Sequence, residues 1–282
     1  MKTLTEILEP DGSPFHHSKR VHSEMSEIHI PTKIPPRLPA FDYASISRPA
    51  GEAPGSFLET ESLPVGEVVF AIGDAGAVPD PLPLLCVRHY FHRSLSSESA
   101  CPALVAEKIN GLIYDCCGDN CLTCFYACYT RETGVLRYVN AGHDAPILIR
   151  RNPDEVLRLE KGGPVFGLQE LPRYREGVVH LKPGDRLVAF TQGVIDSLAA
   201  HNSRSPESVL IALVRNCASD NAAQLANLIV AECEGSPFCA LVDRSVIVAS
   251  VGDDRPLTYG DATAHAADGY VADEYAMDLA VA

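Results

Sequence analysis

The sequence predicts an α+β fold in which largely antiparallel sheets are layered with helices. Two observations predict it: strand-like runs outnumber helical ones, and short turns join several consecutive strands. Residues 1–40 are polar and proline-rich, with Pro31, Pro35, Pro36 and Pro39. They read as a leader with at most one short helix. His16, His17 and His22 fall there, and no carboxylate or cysteine is spaced to join them in a metal site. The body begins near Phe41. Glu67 to Asp74 is an apolar run closed by Gly73-Asp74, which predicts a buried strand.

Apolar residues recur at helical spacing over Pro83–Leu95 and Ala100–Tyr114, the second preceded by Ser96 to Ser99 as a capping region. Strands follow at Leu122–Thr130, Val135–Asn140, Pro146–Arg151, Val156–Glu160, Gly177–Leu181 and Arg186–Thr191. Arg131-Glu132-Thr133-Gly134 predicts a hairpin turn, and Pro183-Gly184-Asp185 predicts another turn. Helices are expected at Pro206–Asn216, capped by Ser205, and at Asn221–Glu234, capped by Asp220. A strand at Ser245–Val251 closes the body. Residues 252–282 carry an excess of acidic residues and few large apolar groups, which predicts a solvated acidic tail. Within it, Asp268 to Ala282 has the spacing of a weak helix. The expected organisation is therefore a leader at 1–40, one domain at 41–251 and a tail at 252–282.

Composition bounds the function. A chain of 282 residues with 46% hydrophobic content can bury a sizeable core. A formal charge of −14 argues against a general nucleic-acid binder, because phosphates would be repelled. No apolar run reaches the roughly 20 residues that span a bilayer. The N-terminus lacks the apolar core of a secretory signal. A cytoplasmic location with reduced thiols is the expectation.

Cys116, Cys117, Cys121, Cys124 and Cys128 cluster, and Cys121 and Cys124 form a C-x-x-C. On a strand, Cys124 and Cys128 share a face with Tyr126 while Cys121 points the other way. That favours core packing. A metal or thiol-based sensing role stays open as the other reading.

One stretch is more specific. Leu122-Thr123-Cys124-Phe125-Tyr126 runs through Thr133-Gly134-Val135-Leu136-Arg137-Tyr138-Val139-Asn140-Ala141-Gly142-His143. Gly162-Gly163-Pro164-Val165-Phe166-Gly167-Leu168 and Lys182-Pro183-Gly184-Asp185-Arg186-Leu187 to Thr191-Gln192-Gly193 follow in order. This order and spacing resembles the bacterial PPM-type (type 2C-like) serine/threonine phosphatases of the SpoIIE/RsbU group. Phe41-Asp42-Tyr43-Ala44 and Arg48-Pro49-Ala50 resemble the segment that precedes the group's first metal motif. The resemblance spans roughly residues 25–251. It implies a four-layer α-β-β-α sandwich with a Mn²⁺ or Mg²⁺ centre and a phosphoprotein or regulatory partner of the anti-sigma-antagonist kind.

The chemistry of that group needs two divalent cations that bridge a hydroxide and neutralise charge on phosphorus. Hard oxygen ligands hold such ions. The group supplies four aspartates, and the resemblance places them here one at a time. Ser56 stands at the first position. Asp74 is retained at the second, with the Ala75 backbone carbonyl beside it, but Pro79 and Asp80 follow where flexible glycine is usual. Gln192 stands at the third position and Val242 at the fourth, with Asp243 next to it. Glu59, Asp196 and Asp243 are the nearby carboxylates that would have to substitute. Cation affinity tracks the number of anionic ligands. The expectation is therefore a degenerate phosphatase that works by binding a protein, without a metal. The alternative is an active Mn²⁺- or Mg²⁺-dependent phosphatase using displaced carboxylates around Asp74. Asn140, Gly142, Gly162 and Gly163 have a turn or packing reading beside the catalytic one. So does His143, for which the sequence shows no partner to set its pKa.

Overall fold

The computed structural model describes residues 38–50, 55–64, 66–75, 82–95, 101–118, 120–152, 155–201, 204–217 and 221–255. The leader histidines, Pro79, Asp80, the Ser96 to Ser99 capping region, Asp220 and the tail helix lie outside these residues.

Eleven strands and five α-helices are present among the described residues. In chain order the strands are β1 Leu38–Arg48, β2 Ser56–Ser62, β3 Glu67–Asp74, β4 Thr123–Thr130, β5 Val135–Ala141, β6 Ile147–Ile149, β7 Val156–Arg158, β8 Gly162–Gly163, β9 Gly177–His180, β10 Arg186–Phe190 and β11 Arg244–Arg255. The helices are α1 Leu82–Ser94, α2 Pro102–Cys116, α3 Gln192–His201, α4 Pro206–Asn216 and α5 Ala222–Glu232. One sheet has the order β1-β11-β10-β6-β7, and the other β2-β3-β4-β5-β8 with β9 also on β5. All pairings are antiparallel except β5 with β8.

Alternation along each strand builds the layers, because successive side chains point to opposite faces. Val68, Phe70 and Ile72 of β3 meet Ile247 and Ala249 of β11 in the core between the two sheets. Val69 and Ala71 face outward and pack on Val87 and Phe91 of α1 and Val105 and Ile109 of α2. Val246 and Val248 of β11 turn away from the first core and bury α3, α4 and α5 through Val194, Leu210 and Leu225. The result is the expected order of helices, sheet, sheet, helices. Each fully buried aliphatic or aromatic side chain stabilises it by about 1.5–3 kcal/mol.

The expected elements are present, with shifted ends. β3 matches its expected span. α2 starts at Pro102, where proline fits a first helical turn, and its N-cap is Cys101, with no side-chain capping bond. Ser205 caps α4 as expected, accepting from the Ser208 amide. α5 is capped by Asn221, which accepts from the Gln224 amide. This corrects the assignment of that cap to Asp220. The hairpin turn closes through Gly134, whose φ of +67° lies in the left-handed region that favours glycine. The sequence reading left β1, β2 and α3 unassigned. β1 starts at Leu38, three residues before Phe41, and β11 continues to Arg255 beyond the expected Val251. Cys124 and Cys128 lie with Tyr126 in the core under α1 and α2, as their alternation requires.

Candidate functional site at one end of the sandwich

The inward-facing strand parities bring a set of polar side chains to one end of the gap between the sheets. Ser56 opens β2 and Asp74 closes β3, and the two are direct antiparallel partners. Thr123 opens β4 opposite Asp74. Thr191 directly follows β10, and Ser245 is the second residue of β11. The Asn140–Asp144 turn leaves β5 beside them.

Asp243 is the hub of this end. One of its oxygens accepts from the Ala50 amide at 2.8 Å. The other accepts from the amides of Gly55 at 2.7 Å and Ser56 at 2.9 Å, and from the Ser56 hydroxyl at 3.1 Å. The Ser56 hydroxyl also meets Ser245 Oγ at 3.0 Å, and Ser245 Oγ meets Ser47 Oγ at 2.8 Å. The Thr191 hydroxyl donates to the Asp243 carbonyl at 3.1 Å and accepts from the Ser245 amide at 3.0 Å. A buried carboxylate with four donors is fully solvated by the protein. It fastens the β1–β2 connection to the start of β11.

Gln192 begins α3 and is exposed. Its side-chain amide donates to Asp196 Oδ1 one turn later, at 2.7 Å. Gly193 behind it packs against the Asp243 carbonyl and the Val242 side chain, where a Cβ would lie 2.1 and 3.1 Å from them. Glu59 sits three residues from Ser56 and so on the other face of β2, toward α1. There it pairs with Arg88 at 2.6 Å and lies 3.6 Å from His92. Of the carboxylates near Asp74 named from sequence, the structure brings Asp196 to this end as an acid bound to Gln192 and Asp243 as the hub. It turns Glu59 away. Ala75 is buried, and its amide donates to the Gly55 carbonyl at 2.8 Å.

Asp144 belongs to the same end and was not singled out from the sequence. It is half-buried, and its carboxyl pKa is raised above the ordinary range, first by burial and then by the charges of Asp196 and Asp74. Three carboxylates from three elements therefore share one electrostatic neighbourhood. The only signal in the sequence was position, one residue beyond the His143 motif. Among the described residues, no group of three His, Cys, Asp or Glu side chains is arranged to hold a metal ion.

His143 is 7% exposed. Its Nδ1 meets the Thr123 hydroxyl at 3.0 Å, and that hydroxyl also bonds the Asp74 backbone at 3.2 Å. Its backbone amide is held by Asn140 Oδ1 at 2.7 Å. Nε2 makes no hydrogen bond of good geometry, although the nearby Phe190 backbone favours the charged ring slightly. Burial dominates and lowers the pKa to about 4. The imidazole is therefore a neutral packing and hydrogen-bonding group at pH 7. The cysteines contribute nothing here. Burial pushes the Cys124 thiol up, and burial with the Glu67 charge pushes Cys128 up to about 12, so neither is a ready thiolate.

Two facing antiparallel sheets flanked by helices, with a polar, acid-bearing end between the strand termini, define the scaffold of a PPM-type phosphatase. The chain belongs to the SpoIIE family, whose model, Stage II sporulation protein E (SpoIIE), matches residues 85–251. It is 26% identical over 170 residues to phosphoserine phosphatase RsbU of Bacillus subtilis, a match covering 58% of this chain and 49% of that protein. The chain thus spans about half the length of that curated relative. The RsbU and RsbW domains of a Mycobacterium tuberculosis protein superpose with a TM-score of 0.64 at 18% identity, over 80% of this chain and 66% of that one. The phosphatase domain of the Bacillus subtilis cell-fate determinant SpoIIE, with a fragment of its regulatory domain, gives 0.62 at 13%, over 78% and 66%. These structural likenesses establish the fold. No helix among the described residues is long and apolar enough to cross a membrane.

Proposed function

We propose that this chain is a SpoIIE/RsbU-type phosphatase domain that has lost most hydrolytic power and serves regulatory signalling by binding a protein. The observation that carries this reading is the contact between Ser56 and Asp243. Ser56, opposite Asp74, offers a neutral hydroxyl, and that hydroxyl is committed to Asp243. The Asp243 carboxylate already accepts four hydrogen bonds. Asp196 is engaged by Gln192, and Glu59 faces α1. A pair of Mn²⁺ or Mg²⁺ ions needs several uncommitted anionic oxygens. The residues at this end do not fit such a pair. The partner class that the family resemblance favours is a phosphoprotein or regulatory protein of the anti-sigma-antagonist kind, met in the cytoplasm.

The test is phosphate release from a phosphoserine peptide with and without millimolar Mn²⁺. The expected result is no metal-dependent release. Release abolished by Asp74→Asn would overturn the reading.

One observation favours a second reading, an active metal-dependent phosphatase with displaced ligands. Asp144 lies within electrostatic reach of both Asp74 and Asp196. If that trio holds a cation, Asp144→Asn must weaken Mn²⁺ binding as strongly as Asp74→Asn, measured by calorimetry.

A further inference from the structure

We propose that residues 164–176 form a strap, latched by Asn110 of α2, whose closed position holds the Asn140–Asp144 turn in place. Asn110 is 1% exposed, and its side-chain amide reaches the strap at three points. Its Oδ1 accepts from the Gly167 amide at 3.0 Å and from the Tyr174 hydroxyl at 3.3 Å. Its Nδ2 donates to the Gln169 carbonyl at 2.9 Å. One side chain thus ties three points of the strap to a helix.

Hydrophobic burial does not do this work in the middle of the strap. No residue from 168 to 173 is buried. Leu168 is 58% exposed and Leu171 is 89% exposed. The two ends are anchored, by burial of Phe166 and Tyr174 in the core under α1 and α2 and by polar contacts. Phe166 pairs its backbone with Leu122, and Glu176 binds Arg137 and accepts from the Ala103 amide at the start of α2. An exposed stretch tethered at its ends, as 168–173 is, opens more easily than a packed strand.

The closed strap bears directly on the site. The Val165 side chain fills the space over Gly142, where a Cβ would lie 2.4 Å from it. The Tyr174 ring covers Gly163 so closely that a Cβ there would lie 2.6 Å from it, a clash. Gly162 and Gly163 pair with Asn140 and Ala141. The Arg175 amide donates to the Gly162 carbonyl at 3.1 Å, and the Asn140 amide to the Lys161 carbonyl at 2.8 Å. Asn140 in turn holds the His143 amide. Asn110 is therefore a positioning residue. It acts on Asp144 through the strap and touches no part of the acidic end. The inference goes beyond the proposed function, because it holds whether or not a cation or a phosphoprotein binds.

Native-state hydrogen exchange on the full chain in EDTA tests it, with Asn110→Ala and Tyr174→Phe. The expected result for Asn110→Ala is exchange at least about tenfold faster in residues 162–176 and in 140–144. β3, β4, β10 and β11 keep their wild-type protection. Tyr174→Phe gives the same pattern at smaller amplitude, and it carries the test if the alanine variant fails to fold. Faster exchange in the strap with 140–144 unchanged would overturn the proposal. So would uniform acceleration across all strands, which marks a residue of global stability only. Unchanged exchange in both segments would overturn it as well.

Discussion

The Ser56 hydroxyl donates to the Asp243 carboxylate across the two sheets at 3.1 Å, at the end where the strands of both sheets terminate. This one bond joins β2 of one sheet to the start of β11 in the other. The Asp243 carboxylate, next to Val242, is occupied by hydrogen bonds within the fold.

Removing that carboxylate is expected to be costly. Asp243→Ala leaves the amides of Ala50, Gly55 and Ser56 without their acceptor. A fully buried orphaned donor costs about 1–3 kcal/mol and a part-buried one less, so the total for the three is on the order of 4 kcal/mol. Ser56→Ala removes one bond to a charged group and costs about 1–2 kcal/mol. Urea melts of both variants check the order; equal losses would show that the backbone donors do not depend on Asp243.

Restoring acids tests the charge argument in the opposite direction. Ser56→Asp places a second carboxylate where the serine now touches Asp243, and the melting temperature falls in EDTA through like-charge repulsion. With Gln192→Asp and Val242→Asp added, millimolar Mn²⁺ raises the melting temperature of the triple variant by several degrees, because a ligand bound only by the folded state stabilises it. The wild-type chain is expected to show no such shift. A wild-type shift equal to that of the triple variant would remove the basis for a degenerate site.

His143 sets an acid limb in the stability curve. Its folded pKa is about 4, below the ordinary value near 6.5. The unfolded chain therefore binds the proton first. The stability contribution is complete above about pH 6.5 and is lost as pH falls toward 4, on the order of 3 kcal/mol in all. Asp144, with its raised pKa, works in the opposite direction over the acidic range. Urea melts from pH 7 to pH 4 should show the limb, flattened in His143→Asn. An identical slope in that variant would assign the acid sensitivity to other groups.

Gly193 tolerates no side chain. A Cβ there would lie 2.1 Å from the Asp243 carbonyl, a backbone atom that cannot swing aside. Gly193→Ala is expected to cost more than about 3 kcal/mol through overpacking and displacement of the Asp243 loop. Gly111→Ala, with open space around it, is the control and should be neutral or mildly stabilising in its helix. Comparable melting temperatures for the two variants would contradict this packing.

Thiol accessibility separates core packing from redox sensing. Cys116 is exposed, whereas Cys117, Cys124, Cys128 and Cys233 are buried. Ellman's reagent should modify Cys116 promptly in the native chain and leave those four until denaturant is added. Prompt native reaction at Cys124 or Cys128 would revive the sensor reading.

The layered fold and most of its parts are legible in the residue pattern. Alternation placed Cys124, Tyr126 and Cys128 on one face, Gly134 marked the hairpin, and Ser205 marked a cap, because each of these follows from chemistry within a few residues. β1 and β2 were not legible. β1 carries Phe41 and Tyr43 on one face and Ala44 and Ile46 on the other, so it shows no polar side to read. The roles at the site depend on contacts that exist only once the chain is folded. Ser56, Asp74, Asp144, Gln192 and Asp243 come from separate elements, and whether a carboxylate is solvated by amides, engaged by a glutamine or left beside other acids depends on which strand ends meet. That is set by long-range register, which no local pattern encodes.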